Sequence, residues 1–148
     1  MKIKLLVFQS TALLCLAALM AGFMSGCGGQ TNSGEQNAAV TAAQAWLSLI
    51  DQGNYAESWS EAAPFFQGAV TEQSWKDSMA KFRQPLGDLI SRKLKSAQPM
   101  TQMPGAPDGQ YVVMQFETSF ANKKSVVETV TVGPKQNGEW KASGYYIK

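Results

Sequence analysis

The chain has 148 residues, of which 45% are hydrophobic and 16% charged, and its 13 basic and 11 acidic residues give a net charge of +2. This length suits one domain with or without an export segment, and it is too short for two independent cores. The sequence contains no His, which excludes a Ser-His-Asp site, a Cys-His site and a His-liganded zinc site. The small net charge does not indicate a nucleic-acid-binding protein.

The N-terminus has the pattern of a secretory signal peptide. Lys2 and Lys4 precede a long apolar stretch that runs from Leu5 to Met24. A basic segment followed by an apolar segment is typical of an export signal, because the lysines stay on the cytoplasmic side while the apolar part enters the membrane.

The sequence Met24-Ser25-Gly26-Cys27 resembles a bacterial lipobox, in which small residues precede the Cys that becomes the mature N-terminus. Met24 departs from the Leu that is commoner at the first position. The resemblance implies cleavage between Gly26 and Cys27, attachment of diacylglycerol to the Cys27 thiol, and often an acyl chain such as palmitate on the new amine. Two or three acyl chains would anchor the protein stably in a membrane.

Two other interpretations of this region stay open. The stretch from Leu5 to Met24 has 20 residues, which is long enough for an uncleaved helix to span a bilayer. The leader could also be an ordinary cleaved signal, with Cys27 an unmodified thiol. We favour lipidation because Cys27 stands at the lipobox position, and residues 28–34 that follow it are small and polar, as in a flexible tether.

These observations predict three segments: a lipoprotein signal peptide at residues 1–26, a flexible tether at 27–37 and a single domain at 38–148. Cys15 is removed with the leader and Cys27 carries the lipid, so the domain has neither a disulfide nor a free thiol. Loss of Lys2 and Lys4 leaves 11 basic and 11 acidic residues in the mature chain. We therefore expect no metal, no cofactor and no nucleic-acid partner.

Three helices are predicted in the first half of the domain. The first covers residues 38–51 and the second covers 55–63 after Asn54 as N-cap. The third follows Thr71 as N-cap, and residues 64–68 are interpreted as an apolar connector. The apolar positions of the first and third helices recur at helical spacing: Val40, Ala43, Trp46, Leu47 and Ile50, then Trp75, Met79, Phe82 and Leu86.

The periodicity then changes from helical to alternating, which predicts four strands at residues 89–95, 111–121, 125–132 and 139–147. Helices followed by a meander of strands favour an α+β fold, with three N-terminal helices packed on one face of a four-stranded antiparallel sheet. The tryptophans lie on apolar stripes, beside turns or early in a strand, so we expect them in the core: Trp46, Trp59, Trp75 and Trp140.

Several short motifs resemble the DUF4019 family, and the resemblance covers nearly all of the predicted domain. They are Ala45-Trp46-Leu47, Asp51-x-Gly53-x-Tyr55, Ser58-Trp59, Trp75, Arg83, Leu86-Gly87, Arg92, Tyr111-Val112-Val113, Phe116, Thr118, Phe120, Glu128-x-Val130, Gly138-x-Trp140 and Gly144-Tyr145. The resemblance implies a fold similar to the NTF2-like, cystatin-like class of α+β domains. It implies no catalytic residue, because the family has no established function.

A polar pocket on the sheet face turned away from the first helix is the remaining candidate for chemistry. Four charged residues project from the predicted strands: Arg92, Glu117, Glu128 and Lys141. In one interpretation Glu117 or Glu128 acts as a base positioned by Arg92, which requires a carboxylate in a dry site. In the other these residues form a solvent-facing ladder of ion pairs that contributes little to stability.

The sequence thus favours a bacterial envelope lipoprotein with a non-catalytic binding or structural domain. Its partners would be the membrane, through the lipid on Cys27, and an envelope protein or a small ligand. The alternative is a hydrolase or isomerase of NTF2-like type that uses a sheet-face glutamate, and only fold analogy supports it. Gly28 follows the lipidated Cys where an Asp would signal inner-membrane retention, so in a Gram-negative cell we expect the outer membrane facing the periplasm.

Overall fold

The computed structural model describes residues 33–134 and 137–148. The predicted signal peptide, its cleavage site and Cys27 therefore lie outside the described residues. In the described ranges, no helix combines the length and the apolar character needed to cross a membrane.

The described residues form an α+β domain, as predicted, with helices first and strands last. The helices are α1 (Ser33–Asp51), α2 (Tyr55–Ser60), α3 (Pro64–Ala69) and α4 (Glu72–Phe82), followed by a 3-10 turn at Gln84–Leu86. The strands are β1 (Leu89–Met100), β2 (Tyr111–Phe120), β3 (Val126–Val132) and β4 (Ala142–Ile147). They form one antiparallel sheet in the order β1-β2-β3-β4, which confirms the predicted meander.

Four helices stand where the sequence predicts three. The apolar connector forms α3, because Pro64 at its first position has no N–H to leave unpaired and its fixed φ suits a helix start. In addition, α1 begins at Ser33, so residues 33–37, which the composition assigns to a flexible tether, are its first turns. The last turn of the predicted third helix is not α-helical, since α4 ends at Phe82 and the 3-10 turn at Gln84–Leu86 follows it.

The core lies between the helices and one face of the sheet. On α1 the buried residues are Ala39, Ala43, Trp46, Leu47 and Ile50. The even-numbered residues of β2 and β3 face the helices, and all of them are buried. Trp46, Trp75 and Trp140 are buried, as predicted, whereas Trp59 is only half-buried. Thr71 caps α4 by accepting a hydrogen bond from the Ser74 N–H at 3.2 Å, which confirms the predicted cap.

Candidate functional site

Two clusters of side chains share the helix-facing side of the sheet. We call the first the aromatic cluster; it consists of Trp46, Phe66, Trp75 and Tyr145. We call the second the charge cluster; it consists of Asp51, Arg83, Arg92 and Glu128. The two clusters are adjacent because Trp46 and Asp51 lie on the last turns of α1, with Tyr145 and Glu128 on the neighbouring strands β4 and β3.

The rings of the aromatic cluster contact one another edge to face or at a tilt. The ring centroids of Phe66 and Trp75 are 5.1 Å apart. The ring centroid of Trp46 lies 5.8 Å from that of Trp75 and 5.8 Å from that of Tyr145. Ser58, which is fully buried, satisfies both indoles: its carbonyl accepts from the Trp46 N–H at 2.7 Å and its hydroxyl from the Trp75 N–H at 2.9 Å. With their polar atoms paired, these rings pack as a core.

Arg92 is the centre of the charge cluster. Its guanidinium donates to both oxygens of Asp51, at 2.6 and 2.9 Å, in the bidentate geometry typical of strong Arg–carboxylate pairs. It also donates to both oxygens of Glu128, at 2.7 and 3.2 Å. Burial by itself would lower the pKa of Arg92, but the hydrogen bonds and negative charges of Glu128 and Asp51 outweigh it and raise that pKa above its ordinary value.

Glu128 has no exposed surface, and its carboxylate is fully occupied by donors. Besides the two bonds from Arg92, it accepts from the Thr118 hydroxyl at 2.6 Å and from the Tyr145 hydroxyl at 2.6 Å. Burial and the negative charge of Glu128 raise the pKa of Tyr145 well above its ordinary value, so this phenol stays protonated and donates. Tyr145 thereby belongs to the aromatic cluster through its ring and contacts the charge cluster through its hydroxyl.

Arg83 completes the charge cluster from the end of α4. It donates to Asp51 at 3.1 Å and to the Gly87 carbonyl at 2.8 Å, and its guanidinium lies 4.0 Å from the centre of the Phe120 ring. Gly87 has a φ of +79°, and a Cβ there would approach the Asn122 side chain to 3.0 Å, so this close turn requires glycine. Two arginines and two carboxylates balance the cluster, as buried charges require.

The four residues of the predicted pocket lie in three separate places. Arg92 and Glu128 come together, but on the helix-facing side of the sheet and not on the side turned away from α1. Glu117 lies on that outer side, exposed, with Lys95 at 3.0 Å, and this hydrogen bond lowers the pKa of its carboxyl. Lys141 borders a groove of about 550 Å³ beside α1, with its Nζ 4.0 Å from Glu61.

The sequence interpretation missed Asp51 and Arg83 as members of the charge cluster, although a signal for both is present. Asp51 follows Leu47 by four residues and Arg83 follows Met79 by four, so each continues the buried stripe of its helix. Glu128 likewise stands between Val126 and Val130 on the buried side of β3. Charged residues at core positions on three different elements indicate a buried ion cluster rather than three surface charges.

An open apolar groove of about 520 Å³ lies beside the aromatic cluster, between α3, α4 and β4. We call it the β4 groove; Phe66, Val70, Phe82 and Ile147 are among its walls. Among residues 33–134 and 137–148, no three His, Cys, Asp or Glu residues are grouped so that they could hold a metal ion.

The chain matches the model of a protein family. A family model described as "Protein of unknown function (DUF4019)" matches residues 42–145. This range includes both clusters and all four strands except the last residues of β4. No curated protein matches the chain.

Proposed function

Because the chain belongs to the DUF4019 family, whose description assigns no activity, we propose its function from the site: it is a bacterial envelope lipoprotein whose domain binds or supports a partner and does not catalyse a reaction. The observation that carries the non-catalytic part is the state of Glu128. Every oxygen of this carboxylate already accepts hydrogen bonds from Arg92, Thr118 or Tyr145. A general base needs a lone pair directed at a substrate, and Glu128 offers none because each of its two oxygens already accepts two hydrogen bonds.

The alternative function, a hydrolase or isomerase of NTF2-like type, has less support. It requires a glutamate that is both dry and accessible, whereas Glu117 is wet and Glu128 is closed off. We include the NTF2-like assignment of the fold in the proposal, since helices followed by a four-stranded antiparallel meander are what that class contains. Assays with ester, amide and enolisable ketone substrates would decide between this enzyme and a non-catalytic domain. Turnover that is lost in either folded variant, Glu117→Gln or Glu128→Gln, would overturn the non-catalytic function.

The membrane part of the proposal is supported by the lipobox sequence that ends at Cys27. The test is fractionation of cells that express the full chain, with Cys27→Ser and the matched control Cys15→Ser. Wild type and Cys15→Ser are expected in the membrane fraction at mature size, because the leader is discarded. Cys27→Ser is expected either in the soluble fraction or as an uncut precursor. Mature Cys27→Ser that still fractionates with membranes would contradict lipidation.

We further propose outer-membrane residence in Gram-negative cells, on the basis of Gly28 after the lipidated Cys. Membranes separated on a density gradient give the readout, and Gly28→Asp is the informative variant. The wild-type chain is expected in the outer-membrane fraction and Gly28→Asp in the inner-membrane fraction. Inner-membrane residence of the wild type would contradict this assignment.

A further inference from the structure

The two edges of the sheet differ in how well they are protected against pairing with another strand. The β1 edge has the usual protective features: register shifts between Leu89 and Ser91 and between Leu94 and Ser96, two lysines and a proline. The side chain of Gln36 also covers part of it by donating to the Ala97 carbonyl at 2.7 Å. Another strand therefore cannot easily extend the sheet on this side.

The β4 edge lacks these features from Gly144 to Ile147. This run contains no charge and no proline, and the only register shift of β4 lies before it, opposite Thr131 and Val132. The start of the strand is covered, since the Ala63 N–H donates to the Ala142 carbonyl at 2.7 Å. The start of β4 at Ala142 is thus protected, whereas the run from Gly144 to Ile147 is not.

The backbone of this run has groups available for pairing. Val127 and Lys148 exchange two backbone hydrogen bonds, at 3.1 and 3.0 Å. The direction of the backbone N–H and C=O groups alternates along an antiparallel ladder. The backbone groups of Gly144 and Tyr146 therefore also point toward β3, whereas those of Tyr145 and Ile147 point outward, away from the sheet. Within the described ranges, no other backbone group bonds to these outward groups.

Apolar side chains surround the same edge. Tyr146 is 62% exposed on the outer face of the sheet, and Phe82 is 56% exposed beside the β4 groove. Ile147 lies on the helix-facing side and forms part of the groove wall. An uncharged strand edge flanked by exposed aromatic rings is the arrangement that binds another strand.

We propose that β4 binds β4 of a second copy of this chain, antiparallel and with the two-fold axis at Tyr146. Tyr145 of each copy then pairs with Ile147 of the other, so the outward N–H and C=O groups of all four residues form hydrogen bonds. The two Tyr146 side chains face each other as a cross-strand aromatic pair. Ile147 of the second copy extends the apolar wall of the β4 groove.

Charge favours a second copy as the occupant of this edge. In the proposed register Lys148 stands opposite Gly144 of the other copy, so no like charges meet. The same self-pairing on β1, centred on Leu94, would place Lys93 opposite Lys95 of the other copy, which is destabilising. Because the sheet of the described residues has one open edge, these residues of two copies form a dimer with a continuous eight-stranded sheet that does not grow into a fibre.

The dimer is expected to be weak. The paired run from Gly144 to Lys148 spans only about 17 Å of strand. Such a short contact buries less surface area than a standard stable interface does. Tests therefore need high protein concentration or a covalent trap. The proposal does not depend on lipidation, so its outcome is separate from that of the proposed function.

Cysteine trapping in cells tests the register. In a non-hydrogen-bonded antiparallel pair the Cα atoms are about 4.5 Å apart, which permits a disulfide. Tyr146→Cys in the full chain should therefore form a disulfide with itself upon mild oxidation. The matched control is Thr129→Cys, because Thr129 is directly opposite Tyr146 on β3 and faces the same side. In the dimer the two Thr129 positions are about three strand spacings, or roughly 14 Å, apart.

Mass spectrometry of the tryptic peptide 142–148 identifies the product independently of Cys27. The proposal requires this peptide linked to its own copy in Tyr146→Cys and no corresponding product in Thr129→Cys. Equal trapping of both variants, trapping of neither, or a disulfide from residue 146 to a different protein would each overturn the second-copy assignment.

Sedimentation equilibrium of the full chain in density-matched detergent provides a measurement that does not alter Tyr146. Ile147→Lys introduces at this edge the protective charge that β1 already has, and Ile90→Lys makes the same change on β1, where Ile90 is 67% exposed. Ile147→Lys is expected to weaken association by about tenfold or more. Ile90→Lys should leave it unchanged. Equal effects of the two variants, or no self-association of the wild type, would contradict the dimer.

Discussion

The aromatic cluster and the charge cluster occupy the same helix–sheet interface, yet they are stabilised in opposite ways. The aromatic cluster removes apolar surface from water and pairs its indole N–H groups with Ser58. The charge cluster removes four charges from water and depends on their mutual pairing. The first should therefore respond to lost volume and the second to lost charge balance. Tyr145 connects them, since its ring lies in one and its hydroxyl binds Glu128 of the other.

The largest expected effect is on the aromatic cluster. Trp75→Ala should lower the free energy of unfolding by about 3–5 kcal/mol, because it leaves a cavity among packed rings. Urea unfolding followed by circular dichroism measures the loss. Phe82→Ala on the same helix is the control and should have little effect, since that ring is mostly exposed. Similar losses for both variants would show that the Trp75 ring is not packed as described.

Removal of one charge should affect the other cluster almost as strongly. Arg92→Met is expected to cost about 3 kcal/mol, near the lower end for a broken buried ion pair, because Arg83 still pairs with Asp51 and two hydroxyls still bind Glu128. Lys95→Met makes the same change on the same strand at an exposed pair. It should leave the urea midpoint unchanged, and equal effects of the two variants would contradict the burial of the charge cluster.

Tyr145→Phe isolates the contact between the clusters. The ring stays in place, but Glu128 loses a donor at 2.6 Å, so we expect a loss of about 1–3 kcal/mol at neutral pH. Tyr146→Phe changes the adjacent, exposed hydroxyl and should be neutral. A neutral result for Tyr145→Phe would mean that its hydroxyl does not support the charge cluster.

Alkaline pH should act through the same hydroxyl. Because the pKa of Tyr145 is raised in the folded state, the folded chain keeps a proton that the unfolded chain loses above about pH 10. The stability is therefore complete below that pH and falls as the pH rises, by at most about 1.4 kcal/mol per pH unit for this one group. Urea midpoints at pH 8 and pH 10.5 should differ less in Tyr145→Phe than in wild type. An unchanged difference would contradict a protonated, buried Tyr145.

The aromatic cluster was largely predictable from the sequence. Helical spacing indicates the burial of Trp46 and Trp75, and the alternation along β2 separates its buried side from the side that carries Glu117. Periodicity works here because apolar residues bury themselves wherever a regular element offers one face to the core. The four strands and the Thr71 cap follow from equally local signals.

The charge cluster was predicted only in part, for a physical reason. A charged residue is stable in the core only beside a partner, and the partners of Arg92 come from α1 and β3, which are distant in sequence. The pairing depends on tertiary packing that local patterns do not contain. The helix α3 was missed for a different reason, because its six residues are too few to show a helical period.

Glu128 balances the charge of Arg92 in the core, and a double-mutant cycle tests this dependence most directly. Arg92→Met leaves one buried negative charge in excess, Glu128→Gln leaves one positive charge in excess, and the double variant is neutral again. We predict that the double variant is more stable than additivity of the two single losses allows, with a coupling energy of about 2 kcal/mol in urea unfolding. Strictly additive losses would contradict the account, because they would show that the two charges do not depend on each other.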